Sequence, residues 1–351
     1  MTMSTLTSII RKEALHIVRD RRTMLITILM PMMLLILFGF AISTEVNNVR
    51  VAVATDRFDD TIRDAILRIQ ANDYTTFAGL TTESEISTLL KQSQVDAVVI
   101  FRHKSTGIMS EIIVDASNPT NGQAASGYIS NIINPQTSDS IITSTLYNPQ
   151  MKSAYNFVPG IMGMIFILIC AIMTSVSIVS EKETGTMDLL LVSPVRPRTI
   201  IIGKLVPYFI LSLIILFIML NISYTILGLP FSSTVLSVVG ISIIYIILSL
   251  GIGLFVSTMV DTQVSALIVS AMLFMIPVIM LSGMIFPIDN MPRILQGISC
   301  IIPARWYISA MRKLMIQQLS PSYVIEELLI MGGMCLFILT LAIKKFNARK
   351  S

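Results

Sequence analysis

Ser180–Lys204 reads SEKETGTMDLLLVSPVRPRTIIIGK, and a long apolar run lies on each side of it. Glu181, Lys182, Glu183 and Asp188 are costly to place in hydrocarbon, so this stretch belongs outside a bilayer core. Gly185 permits a tight bend, and an acidic residue near a helix start is favoured by the helix dipole. A short helix over Met187–Val192 is expected, stopped by Pro194 and Pro197. On it Met187, Leu190 and Leu191 form an apolar stripe. Two uses fit such a helix: docking into a groove on a soluble partner, or lying on lipid headgroups.

Composition agrees with a membrane setting. The 351 residues are 54% hydrophobic and 13% charged, with a mean hydropathy of +0.78. Soluble domains carry roughly 25% charged residues, so the class is membrane protein. The net charge of +4 comes from basic residues that flank apolar runs, which are topology signals and not a nucleic-acid surface. Cys170 and Cys335 fall inside apolar runs and Cys300 elsewhere, so neither a disulfide framework nor a metal site is expected. His16 and His103 are too few for a histidine metal centre.

The same reading divides the rest of the chain. Residues 1–23 are expected as a cytoplasmic amphipathic helix, with Leu6, Ile10, Ala14 and Ile17 on one face. Arg11, Lys12, Arg19, Arg21 and Arg22 would face anionic headgroups, and His16 belongs to the polar face. Six spans follow at 24–43, 157–179, 205–227, 235–256, 264–285 and 324–343, each near the roughly 20 residues a bilayer needs. Basic flanks put both termini, the 180–204 loop and the 344–351 tail in the cytoplasm. Residues 44–156 alternate strand and helix patterns, as an α/β domain facing outward: strands at Val49–Thr55, Val95–Phe101 and Glu111–Asp115, helices at Asp59–Ile69, Glu83–Lys91 and Pro119–Asn134. Residues 286–320 are broken by Pro287, Pro292 and Pro303 and hold apolar runs too short to span, which suggests an outer re-entrant or interfacial hairpin. Trp306 and Tyr307 suit either an interfacial aromatic belt or substrate contact.

Glu181-Lys-Glu-Thr-Gly-Thr-Met-Asp-Leu-Leu-Leu, Ser193-Pro-Val and Gly203-Lys204 resemble the first cytoplasmic loop of ABC-2 type transporter permeases. Leu281-Ser-Gly-Met-Ile-Phe-Pro-Ile-Asp-Asn-Met-Pro292 resembles that family's outer hairpin, through Gly283, Pro287, Asn290, Pro292 and the following Trp306. Ile302-Pro303 stands where the family often has Asn-Pro. Asp115-Ala-Ser-Asn-Pro-Thr-Asn121 with Tyr128 resembles the end of the outer domain in one subgroup, although an ordinary Asn/Pro turn explains these residues as well. The resemblance implies a permease fold of six spans, an outer α/β domain and a coupling helix seated in a separate ATPase. Glu181, Lys182, Glu183, Gly185, Thr186, Asp188, Leu189 and Leu190 would carry that coupling, with the acidic side chains meeting basic residues of the ATPase.

No phosphate-cradling loop occurs in the chain, so ATP and Mg are expected on the partner. No H-E-x-x-H or G-x-S-x-G is present, and the spans hold few ionisable residues. Two permease chains, identical or related, would form one pathway, and a periplasmic or membrane-fusion partner is a further expectation. Met164, Ile165, Met272 and Met275, on the second and fifth spans, are the candidate substrate contacts, since methionine adapts to varied apolar ligands. The expected function is export of a hydrophobic or amphipathic compound. Against it stand a membrane-anchored sensor or scaffold, for which six spans and a hairpin are more than an anchor needs, and an intramembrane enzyme, for which a nucleophile, metal and carboxylate set is missing.

Overall fold

The computed structural model describes residues 2–41, 49–72, 74–92, 94–104, 107–114, 119–133, 153–187, 195, 197–231 and 234–348. The chain separates into two compact units, Met1–Ile42 with Ser153–Ser351, and Ser43–Lys152.

The smaller unit is a doubly wound α/β fold. Strands β1 (Val49–Thr55), β2 (Thr75–Thr81), β3 (Ala97–Lys104) and β4 (Gly107–Val114) form one sheet in the order β2-β1-β3-β4. β1 runs parallel to β2 and β3, and β4 returns antiparallel to β3. Helices α3 (Asp60–Ala71) and α4 (Ile86–Lys91) make the two crossovers, and α5 (Pro119–Ile133) follows β4. Alternation along β1 serves both faces: Val49, Val51 and Val53 pack with Ile62 and Ile69 of α3, while Ala52 and Ala54 pack with Ile86 of α4. Strand β2 was not expected. It is an edge strand of threonines broken by Gly79, whose φ of +133° coincides with a register shift opposite Val51/Ala52. The Asp115–Asn118 turn lies outside the described residues.

The larger unit is helical: α1 (Thr2–Arg19), α2 (Arg21–Ala41), α6 (Ser153–Glu183), α7 (Pro197–Thr225), α8 (Val235–Ser257), α9 (Gln263–Leu281), α10 (Arg293–Ser299), α11 (Pro303–Met311) and α12 (Ile325–Ala348). Six of these, α2, α6, α7, α8, α9 and α12, are long and apolar enough to cross a membrane. Helix α6 is central and packs on α2, α7, α8, α9 and α11. Gly253 of α8 permits a close backbone approach: a Cβ there would lie 2.7 Å from the Ala171 carbonyl oxygen, so helix backbones touch and no larger residue fits. Helices α2, α9 and α12 leave much apolar surface uncovered, as lipid-facing or partner-facing helices do.

Two helices overrun their expected ends. Helix α6 continues through Glu183 instead of stopping near 179, and α7 begins at Pro197, a residue expected to stop a helix. Proline suits the first helical turn, where its missing N–H is not needed. Tyr307 is corrected too: it is fully buried, stacked on Tyr245 at 4.2 Å with its hydroxyl 3.0 Å from Ser242 Oγ, and belongs to no interfacial belt.

Candidate coupling site and substrate path

The charged triplet Glu181-Lys182-Glu183 closes α6, and each member bonds to a different helix of its own chain. Glu181 Oε1 accepts from Lys12 at 2.7 Å and from Lys204 at 3.0 Å. Lys204 also reaches Glu13 Oε1 at 3.1 Å, and Lys12 lies 3.6 Å from the same oxygen. Two bases and two carboxylates thus lock α1 and α7 to the end of α6. The Lys204, Glu13 and Glu181 side chains are only 4%, 5% and 11% exposed, whereas Lys12 opens to solvent. Burial would lower the Lys12 pKa, but the hydrogen bond and charge of Glu181 outweigh it and hold the ammonium above its ordinary value.

Lys182 donates to the carbonyls of Ser257 and Val260, a cation at the C-terminal end of α8. Glu183 Oε2 accepts from the Gln263 backbone N–H at 3.1 Å and its side-chain amide at 3.0 Å, an anion at the N-terminal end of α9. The triplet is therefore an internal bracket that gathers α1, α7, α8 and α9. The expectation that Glu181 meets basic residues of a partner is replaced by its own Lys12 and Lys204. Lys12, expected to face headgroups, gives its ammonium to Glu181 while its side chain stays open to solvent.

The chain leaves α6 through a glycine cap. Gly185 has φ +74°, and its N–H bonds the Lys182 carbonyl at 3.1 Å. Thr184 and Thr186 tie the turn back to the Ser180 and Glu181 carbonyls at 2.8 and 3.3 Å. Met187 then inserts among Ile178, Ile201, Leu254 and Ala342. It anchors the segment to the bundle instead of joining an outward stripe. Asp188, Leu189 and Leu190 lie outside the described residues. Gly203 and Lys204 share a purpose: a Cβ at Gly203 would lie 2.7 Å from Ile9 Cγ2, so the glycine admits α1 and the lysine binds it. Sequence reasoning noted the Gly-Lys pair but not Glu13; the available signal was a lysine inside the apolar run of a span, which demands a partner.

The four candidate substrate contacts split into two sets. Met164 and Ile165 are 7% and 2% exposed and line an apolar groove of about 200 Å³ between α2 and α6, with Met30, Pro31 and Met173. Met272 and Met275 are 62% and 47% exposed on the uncovered side of α9 and do not line that groove. A second apolar cavity of about 530 Å³ lies among α8, α9, α12 and the hairpin, lined by Phe255, Pro277, Ile301 and Phe337 among others.

The hairpin is built by specific bonds. Gly283, at φ +81°, accepts from Arg312 Nη2 at 2.8 Å through its carbonyl. Pro287 and Asn290 frame a 3₁₀ turn, and Pro292 precedes α10. The Trp306 indole N–H donates to the Cys300 carbonyl at 3.0 Å, and the Arg305 guanidinium lies 5.0 Å from the Trp306 ring. Past α11 a π-helical turn, Arg312–Ile316, carries Lys313 to Glu327 of α12 at 2.6 Å, where Ser309 also donates at 2.8 Å.

Residues 21–344 match the family described as ABC-2 family transporter protein. The chain is 28% identical to the probable multidrug ABC transporter permease YbhS of Escherichia coli over 93% of each chain. It is 29% identical to the probable multidrug ABC transporter permease YbhR of the same organism, over 89% of this chain and 90% of that one. The linearmycin resistance permease protein LnrN of Bacillus subtilis is 22% identical, over 81% and 84%.

Proposed function

The chain belongs to the ABC-2 family of transporter proteins, and on that premise we propose that it is the membrane subunit of an ATP-driven exporter for hydrophobic or amphipathic compounds. The observation that supports this reading most is the bracket at the end of α6. It joins five helices at the point where the chain departs for 188–194. A force applied to that segment by an ATPase would reach α1, α7, α8 and α9 together. In this reading the expected Met187–Val192 segment is the coupling helix, and Leu189 and Leu190 seat in the ATPase. Glu181, Lys182 and Glu183 position the segment, and Gly185 sets its exit angle. The termini and the 180–204 region then face the cytoplasm, and the α/β unit and the hairpin face outward.

The substrate class rests on apolar grooves lined by methionine and branched side chains. The multidrug names of YbhS and YbhR agree with it. Two copies, or this chain and a related one, would enclose the path, with the uncovered α9 face and its Met272 and Met275 turned to the partner and transport proceeding by alternating access.

Leu190→Asp tests the coupling. A buried unpaired charge costs several kcal/mol by order of magnitude, so the ATPase should no longer co-purify with the membrane subunit and export should stop, at unchanged expression. Gly185→Pro should have the same effect on export, since proline cannot adopt φ +74° or donate the capping bond. Normal co-purification and export of Leu190→Asp would place 188–194 on lipid and remove the main support for this function.

A further inference from the structure

We propose that His103, Asp56 and Asp59 form a proton-operated latch on the α/β unit, which ties the end of β3 to the loop between β1 and α3 when His103 is charged and releases it when His103 is neutral. The argument starts from the topology. α3 leaves β1 and covers one face of the sheet, and α4 leaves β2 and covers the other. β1 and β3 are parallel neighbours, so their carboxyl ends lie side by side at one end of the sheet. His103 stands at that end of β3, and Asp56 and Asp59 stand in the segment that follows β1.

Both imidazole nitrogens face carboxylates: Nδ1 lies 3.0 Å from Asp56 Oδ1, and Nε2 lies 3.1 Å from Asp59 Oδ2. A neutral imidazole has one N–H, so in the neutral state one nitrogen would set a lone pair against a carboxylate oxygen. Only the imidazolium makes both bonds. Asp59 has a second duty, because its Oδ1 caps α3 by accepting from the Ile62 N–H at 2.9 Å. A change at His103 thus reaches the start of a helix that carries the buried Ile62 and Ile69.

The surrounding charges do not replace the histidine. Arg57 in the loop and Asp60 and Arg63 in the first turn of α3 are exposed, and among the described residues the ion pairs of Asp56 and Asp59 are with His103. Arg102, next along β3, is held by Glu83 and Glu111. Helix α5 carries no charged residue. The bonds to Asp56 and Asp59 hold the His103 pKa above its ordinary value; the bond to His103 holds Asp56 below its own, and the Ile62 N–H, with His103 second, does the same for Asp59. The histidine's contribution is complete below about pH 6.5, its unfolded value, and is lost as pH rises through the raised folded value. The carboxylates' contribution is present above about pH 3.9 and is lost as pH falls through their lowered values. The latch is therefore closed in mild acid and open in alkali. Its use as a sensor of external pH rests on the outward placement proposed above; the latch itself does not.

The full chain purified in detergent is sufficient for the test. Its two histidines give two signals after carbon-13 histidine labelling, and His16→Gln leaves His103 alone. His103 should titrate above 6.5, and Asp56→Asn and Asp59→Asn should each shift its midpoint down. Asparagine still caps a helix, so Asp59→Asn removes the charge and keeps the fold. Hydrogen exchange over 55–62, corrected for intrinsic rate, should show protection falling as pH rises through that midpoint, with no such step in His103→Gln. A His103 midpoint at or below 6.5 that neither variant moves, or protection without a step, would overturn the latch. Neither readout involves transport, so a failed latch and a failed exporter reading are separate results. Reagent labelling of Ser84→Cys reports the sidedness independently.

Discussion

Each unit holds a base between two carboxylates, and the two arrangements have opposite energetics. In the helical unit Lys204 lies 3.1 Å from Glu13 and 3.0 Å from Glu181, with all three side chains at most 11% exposed. In the α/β unit Arg102 lies 2.9 Å from Glu83 and 2.8 Å from Glu111, with side chains 42–57% exposed. The distances are alike; the surroundings are not. Water screens the second trio and competes for its hydrogen bonds, so holding the side chains in place offsets most of the attraction. The first trio has given up its hydration and depends on its own geometry. Burial, more than proximity, decides which of these charges the fold cannot lose.

Lys204→Met breaks the comparison at its strongest point. It leaves the Glu13 and Glu181 carboxylates buried beside each other with Lys12 as their remaining base. Breaking a buried pair costs about 3–5 kcal/mol, and denaturant titration of the purified protein should show a loss of that order. Glu13→Leu combined with Lys204→Met should recover part of it, since apolar replacement of a buried pair is often neutral. If the double variant regains stability but not export, the charges serve coupling beyond folding. A loss below 1 kcal/mol for Lys204→Met would show that water reaches the cluster.

Lys313→Met sharpens the scale between the extremes. Its partner Glu327 is 4% exposed, but Lys313 itself is 32% exposed, and Ser309 still donates to the same oxygen. The residual hydrogen bond should soften the loss to about 1–3 kcal/mol, the cost of an incompletely satisfied buried group. A loss equal to that of Lys204→Met would mean that Ser309 does not compensate.

How much of this was legible follows from the range of each signal. The six apolar runs were readable because crossing a bilayer imposes length and composition locally. Strand β1 was readable because Val49–Thr55 carries the β-branched pattern of a buried central strand. Strand β2 was not, since its threonines and Gly79 make a weak edge-strand pattern that matters only once β1 lies beside it. Glu181 was recognised as chemistry but expected to meet a partner's bases, whereas it is buried against Lys12 and Lys204. Glu13 and Lys204 are 191 residues apart, and no local pattern reveals that α1 returns to α7. Tyr307 stayed open between an interfacial belt and substrate contact for a related reason: nothing local shows that Tyr245 and Ser242 receive it.

Arg102→Met is expected to have the smallest effect of all, and that is its value. It removes two ion pairs at once, as Lys204→Met does, from contacts of similar length. Glu83 and Glu111 are already about half exposed, so each carboxylate regains its hydration when the guanidinium leaves. Arg102 stands in β3 between the buried Phe101 and His103, and its backbone pairing with Met109 does not depend on its side chain. The midpoint of thermal unfolding should therefore stay within the scatter of replicate wild-type scans, and the small remaining effect should vanish as salt rises from 0.01 to about 1 M, where the screening length falls to roughly 3 Å. A salt-insensitive destabilisation matching Lys204→Met would show that exposure does not separate the two trios. The comparison would then have to rest on the bond network alone.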